Sequence, residues 1–327
     1  MSRSWRRTAC ALVITIALAP AAGCAGTVVT AGDLSRIRVM APASPGGGWD
    51  TTSRVLQQTL QRSGLVRNVQ VFNVEGAGGI IGLGQLERES DDNLLMTMGL
   101  VMLGAIETNE SDVTLEDVTP IARLTGESLV IVVPGDSPYE TLEDFTTAWA
   151  DDPGGNAIAG GSAGGADQML AGLVAEQVDL DPQLVNYIAY SGGGESLAAL
   201  LGNQVAAGIS GVGEYAELVR SGDLRALAVS GTARSDQLPD TPTLQESGVE
   251  VELTNWRGVM APPGIDDQQR ADLIELIEDA HDSEEWAEAL ADNGWEDQFL
   301  TGDDFGAYIE EEQVRVREIL VQIGLAT

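Results

Sequence analysis

Four times along this chain a short apolar run ends in a glycine-rich turn and passes into a stretch of helical period. Arg36–Pro42 reads as a strand, Ser44–Gly48 as the turn and Asp50–Arg62 as the helix. The second unit is Val69–Val74, Gly76–Gly79 and Ile80–Glu89; the third is Ala157–Ala159, Gly160–Gly165 and Ala166–Gln177. The fourth is Leu184–Tyr190, Ser191–Gly194 and Glu195–Leu201. Alternation of this kind predicts α/β architecture, with mainly parallel sheets flanked by helices. Leu129–Pro134 is almost wholly apolar, which predicts a fully buried strand and a crossing point between two lobes. Asn255–Ala261 offers the return crossing, before Pro262-Pro263-Gly264 forces a turn. The chain therefore divides into a discontinuous first lobe, residues 36–134 plus 250–327, and a second lobe, residues 135–249.

The rest of the C-terminal part is helical. Leu273, Ile277 and Ala280 share a face, Asp282 with Glu285 reads as a capping box, and Thr301 with Asp304 opens a last helix. Their spacing is that of core packing.

The glycine turns carry the functional reading. A helix N-terminus presents unpaired N–H groups and a partial positive charge. Glycine just ahead of it lets a ligand approach the backbone. In open α/β sheets such turns sit at the carboxyl ends of strands, where ligands bind. Two turns from each lobe would then face one another across a cleft and hold an anion with few basic side chains.

Charge narrows the partners. The 327 residues carry 51 acids against 17 basic residues, all Arg, for a formal net charge of -34. Such a balance excludes nucleic acid and an anionic membrane surface. A small anion answers instead to the local field of a cleft. Residues 1–23 differ from the rest: Arg3, Arg6 and Arg7 precede an apolar run, and Ala21-Ala22-Gly23-Cys24 closes it. This predicts a secretory signal with a lipobox-like cleavage site, in which Ala21 stands where Leu is usual. Cys10 falls inside the signal, so Cys24 becomes the single mature cysteine, available for a lipid, and residues 24–35 a tether. The chain is expected on the outer face of the cell membrane, lipid-anchored, with no cofactor.

Three other chemistries have partial signals. Gly76-Ala77-Gly78 lacks the third glycine of a dinucleotide fingerprint, and without Lys there is no phosphate-binding Gly-Lys pair. Gly160-Gly161-Ser162-Ala163-Gly164 matches a nucleophile elbow, but His281, the sole His, falls at the end of a helix where it suits the helix dipole. A serine hydrolase using Ser162 is the alternative reading. One His and no paired Cys predict no metal site.

Pro45-Gly46-Gly47-Gly48-Trp49-Asp50, Asn73–Gly79, Gly161–Gly165, Tyr190–Gly194 and Trp256–Pro262 occur in an order and spacing that resemble the extracytoplasmic solute receptors of tripartite tricarboxylate transporters. The resemblance spans nearly all the mature chain. It implies a type II periplasmic-binding-protein fold whose two lobes close on a ligand in the cleft between them. It implies no catalysis, a monomeric receptor, and two integral membrane partners, one large and one small. The ligand it implies is a small carboxylate, citrate or a related di- or tricarboxylate. A carboxylate-sensing receptor for a membrane sensor is the other alternative.

By the same resemblance, ligand contacts fall on Gly46, Gly47, Gly48 and Asp50, and on Asn73, Gly76, Ala77 and Gly78. The opposite lobe supplies Ser162, Ala163, Gly164 and Asp167, with Tyr190, Ser191 and Gly192. Arg257 is either the charge partner of a second ligand carboxylate or the ion-pair partner of one of the many acids. Gln168 stands where many relatives carry a His, and Gly208-Ile209-Ser210-Gly211 stands where many have an Asp. Glu214, just beyond, either takes an amine or hydroxyl or caps a helix.

Overall fold

The computed structural model describes residues 34–190 and 193–326. The predicted signal, Cys24 and its lipid, and the Ser191 and Gly192 contacts lie outside the described residues. The rest folds around two mixed sheets flanked by helices, a two-lobe α/β architecture.

The first sheet has the order β11-β4-β10-β3-β1-β2. Its strands are β1 (Arg36–Ala41), β2 (Asn68–Asn73), β3 (Leu94–Gly99), β4 (Thr119–Gly126), β10 (Arg257–Ala261) and β11 (Glu296–Thr301). β1 pairs in parallel with β2 and β3, whereas β10 and β11 run antiparallel to their neighbours. The second sheet has the order β7-β6-β8-β5-β9. It comprises β5 (Leu129–Pro134), β6 (Ile158–Gly160), β7 (Tyr187–Ala189), β8 (Ala207–Gly211) and β9 (Leu224–Val229). Here too the β6 pairs are parallel and the β5 pairs antiparallel. The sheets are mixed, not mainly parallel, because β10 and β11 in the first and β5 in the second run against the βα units.

Crossing occurs at one place. The bridge Ser128–Thr254 joins the outgoing and returning chains, with paired backbone hydrogen bonds between Glu127 and Asn255. All six residues of β5 are buried, as the apolar run predicts, but β5 pairs with β8 and β9 in the second sheet. An expected first-lobe limit at residue 134 puts that strand on the wrong side of the crossing.

The ten helices of the described residues lie along the sheets: α1 (Gly48–Arg62), α2 (Ile80–Leu86), α3 (Leu100–Thr108), α4 (Leu142–Asp151), α5 (Ala166–Gln177), α6 (Gly193–Leu201), α7 (Val212–Ser221), α8 (Asp267–His281), α9 (Glu284–Asn293) and α10 (Gly302–Gln322). α1 shows why they do: Trp49, Ser53, Leu56 and Leu60 recur at helical spacing and are buried. Leu273, Ile277 and Ala280 of α8 are buried as their spacing predicts, as are Phe305, Ile309, Val316 and Ile319 of α10. The N-cap of α9 is Ser283, whose hydroxyl accepts from the Trp286 N–H, and not Asp282. Thr301 does precede α10, yet its hydroxyl donates to Glu278 instead of capping the helix.

The lobes touch beside the cleft. The Gly164 carbonyl packs on Gly104 of α3, and Ile323 after α10 packs on Gly172 of α5.

Candidate functional site

A cavity of about 250 Å³ opens where the two sheets meet. The first lobe lines it with Ser44, Gly47, Gly48 and Trp49 from the first turn, residues 75–79 from the second, and Arg257. The second lobe contributes Gly161, Ser162, Asp167, Ser210, Gly211 and Glu214, and Asn255 lines it at the crossing.

Helices that start here differ from three that start elsewhere. α4, α8 and α9 begin with Thr141, Asp266 and Ser283, each accepting a first-turn N–H. α1, α3, α5 and α7 begin with Gly47, Gly99, Gly165 and Gly211, which have no side chain to do so. Their first-turn donors are left to other partners. For α7 that partner is a protein carboxylate, since Glu127 Oε1 accepts the Gly213 N–H at 3.2 Å. The start of α1 has no such occupant. The Gly47 N–H closes its turn on the Ser44 carbonyl at 3.1 Å, so the first-turn donors that begin at Gly48, with the helix-dipole charge, are what this turn presents to the cavity.

Arg257 strengthens that end. It is 4 % exposed and pairs through Nη2 with Glu127 Oε2, 2 % exposed, at 2.5 Å. Its guanidinium packs flat on the start of α1, where a Cβ at Gly48 would lie 2.7 Å from Nη2. Only glycine admits the contact. No other protein acceptor takes a hydrogen bond from the Arg257 guanidinium among the described residues, so Nε and Nη1 remain free at the cavity wall. Of the two open readings of Arg257, the ion pair is present in the structure, and spare donors remain beside it.

The second turn is locally strained. Gly76, Ala77, Gly78 and Gly79 all take positive φ, at 127°, 50°, 60° and 95°. Ala77 does so with a Cβ, at a cost of order 1 kcal/mol. The Gly79 N–H closes this turn on the Gly76 carbonyl at 3.1 Å.

Acids dominate the opposite wall. Asp167 Oδ2 accepts the Gly161 N–H at 2.7 Å, and Glu214 Oε2 accepts from the Ser210 hydroxyl at 3.0 Å. Among the described residues no basic side chain forms an ion pair with either. Burial pushes the Asp167 carboxyl up to about 7; the Gly161 N–H opposes this, Glu214 and Glu127 add to it, and Arg257 opposes it. Burial also raises Glu214, again with Glu127 adding to the effect. Glu214 is open to the water of the cleft while protein surrounds it on its other sides, which explains a desolvated group on an accessible surface. Tyr187 and Tyr215 stand close by, both raised by burial, with Asp167 adding to each.

Of the residues expected at the ligand, Gly47, Gly48, Gly76, Ala77, Gly78, Ser162, Asp167 and Arg257 line the cavity. Asp50 and Asn73 do not. Asp50 is 2 % exposed and takes the Gly46 N–H, Arg54 Nε and Asn73 Nδ2 at 2.8 Å each. Burial would raise its carboxyl, but these bonds outweigh burial and hold it below the usual range. The network ties the first turn to β2 from behind. Gly46 belongs to it, Ala163 is exposed away from the cavity, and Gly164 is spent on the lobe contact. Tyr190 is half-buried and its N–H bonds to the Gly160 carbonyl, outside the lining. Gln168 accepts the Gly164 N–H at 2.8 Å and so props the third turn. Glu127 escaped the sequence reading altogether, because no local motif marks a residue whose partners lie 86 and 130 positions away.

Nothing here forms a nucleophile and its base. Ser162 is at the cavity, but both ring nitrogens of His281 contact Asp282 and Asp297, and its ring stacks on Phe299 at 3.9 Å. No metal-binding group of His, Cys, Asp and Glu occurs among the described residues.

Comparison with known proteins agrees with this geometry. The model of the tripartite tricarboxylate transporter family receptor matches residues 52–325. Protein BugT of Bordetella pertussis is 31 % identical over 298 residues, covering 88 % of this chain and 89 % of BugT. Among solved structures, MatC of Rhodopseudomonas palustris with bound malate superposes with a TM-score of 0.77 at 22 % identity, over 87 % of this chain and 99 % of MatC. A second R. palustris protein, with adipate, gives 0.79 at 20 % identity over 89 % and 98 %. The chain belongs to the tripartite tricarboxylate transporter receptor family, a family of extracytoplasmic solute-binding proteins and not of enzymes.

Proposed function

We propose that this receptor captures a small carboxylate in the cavity between its lobes and presents it to a membrane transporter with one large and one small integral subunit. The observation that carries the reading is the uncapped start of α1 at Gly47 and Gly48, with the spare donors of Arg257 beside it. Backbone N–H groups and a guanidinium suit an oxyanion such as a carboxylate. Malate and adipate in two structural neighbours belong to the same chemical class. Contacts from Gly47, Gly48, Gly76, Ala77 and Gly78 on one side, and from Ser162 and Asp167 on the other, would join only when the lobes close about the crossing at Glu127–Ser128 and Thr254–Asn255. Closure requires a ligand that binds the closed state better than the open one. A lipid on Cys24 would hold the receptor at the outer face of the membrane. Citrate, the ligand the family's name suggests, would bring carboxylates to both walls of the cavity, and the acids of the second lobe oppose it.

A thermal-shift screen of the purified protein tests the class. Bound ligand stabilises by mass action, so millimolar carboxylates should raise the melting temperature and neutral sugars should not. A flat response to every carboxylate, in protein freed of carried-over ligand, would exclude the reading.

A further inference from the structure

We propose that the ligand carries a cationic group as well as a carboxylate, with the carboxylate at the Gly47–Gly48 start of α1 beside Arg257 and the cation between Asp167 and Glu214. This rests on the receptor reading above and names the substrate class of the same cavity.

The two walls are electrically opposite. The first-lobe wall holds an unfilled helix start and a guanidinium that is 4 % exposed with two nitrogens lacking a protein acceptor. Such donors, on a side chain that is otherwise buried and lines the cavity, point to an anionic group of the ligand. On the second-lobe wall Glu127 accepts the Gly213 N–H in the first turn of α7, and Asp167, in the first turn of α5, accepts the Gly161 N–H of the turn before that helix. Arg257 neutralises Glu127 alone. Asp167 and Glu214 face the same cavity without an ion-pair partner among the described residues, and Glu75 is the acid on the first-lobe side. A second ligand carboxylate there would meet like charge at short range. An ammonium would meet two hydrogen-bond acceptors and two negative charges.

Protonation separates the alternatives by sign. The groups facing Asp167 are Glu214, Glu127, Arg257, Tyr187 and Tyr215, and the balance lifts its carboxyl to about 7. A bound ammonium favours the ionised acids, so its binding releases protons and tightens as pH rises from 6 to 8. A dicarboxylate needs the protonated acid as a donor, so its binding weakens over the same range.

Isothermal titration of the purified protein decides between them. The probes are the common α-amino acids, 4-aminobutyrate and glycine betaine, set against acetate, butyrate, succinate, malate, adipate and citrate. At least one zwitterion should bind tenfold or more tighter than every amine-free acid, and more tightly at pH 8 than at pH 6. Asp167→Asn and Glu214→Gln should each weaken it at least tenfold, and the double variant should gain affinity for adipate. Circular dichroism melts confirm that the variants fold, and the gain for adipate is a readout that misfolding cannot produce. If amine-free acids bind as tightly as any zwitterion and the variants leave them unchanged, the proposal fails while the receptor reading stands. If neither kind of carboxylate binds, both fail.

Discussion

Arg257 reaches from β10 to Glu127 at the crossing and lies against Gly48, so folding and binding fall on one side chain. Removing it leaves Glu127 buried and uncompensated, which costs about 3–5 kcal/mol. Arg257→Met should lower the denaturant midpoint accordingly and abolish carboxylate binding. The double variant Arg257→Met with Glu127→Leu should recover much of the stability and none of the binding. Asp167 acts in the other direction. Its folded carboxyl titrates at about 7, against an ordinary value near 3.8. The folded state therefore holds more protons between those limits, and stability falls as pH rises through them. The penalty is complete above pH 7 and absent below pH 4. Asp167→Asn should raise the melting temperature at pH 8, by an amount corresponding to at most about 4 kcal/mol, and leave it unchanged at pH 4.

At the scale of elements, two kinds of helix start predict two kinds of mutant. Thr141→Ala removes a side-chain cap far from the cleft and should cost about 1 kcal/mol with ligand affinity intact. Gly48→Ala should lower stability and also reduce affinity tenfold or more, because its methyl displaces the Arg257 guanidinium from its buried pair with Glu127. Calorimetry beside urea unfolding on both variants checks the contrast. Helix starts also explain how far the sequence could be read. The units opening at Gly47 and Gly165 were legible because glycine pairs mark them. Those opening at Gly99 and Gly211 have no adjacent glycine pair, yet the structure builds β3–α3 and β8–α7 there. Asp50 and Asn73 are expected at the ligand from the family resemblance, yet they do not line the cavity. Which side of a turn a side chain takes depends on Gly46, Arg54 and Ala43, and that pattern exists only after folding. The acids facing the cavity were visible as residues, but 51 acids hide the two that matter.

The whole molecule combines a net charge of -34 with a cleft whose first-lobe wall presents a helix N-terminus and the Arg257 guanidinium. Repulsion among surface acids destabilises the compact state and is screened by salt. Raising sodium chloride from 50 mM to 1 M should therefore raise the melting temperature, whereas a ligand held inside the cleft should lose little affinity over the same range. The order of the strands was beyond sequence reading, because antiparallel β10 and β11 enter the first sheet from the far end of the chain. The βα repeats alone predict parallel neighbours.

A crystal structure with the tightest-binding carboxylate tests the central claim most directly. The account predicts one ligand carboxylate within hydrogen-bond distance of the Gly48 backbone N–H and of Arg257, inside the cavity lined by Gly76, Ala77 and Ser162. A ligand seated elsewhere, for example in the surface pocket of Arg123 and Arg315, with the start of α1 left to water, would contradict it.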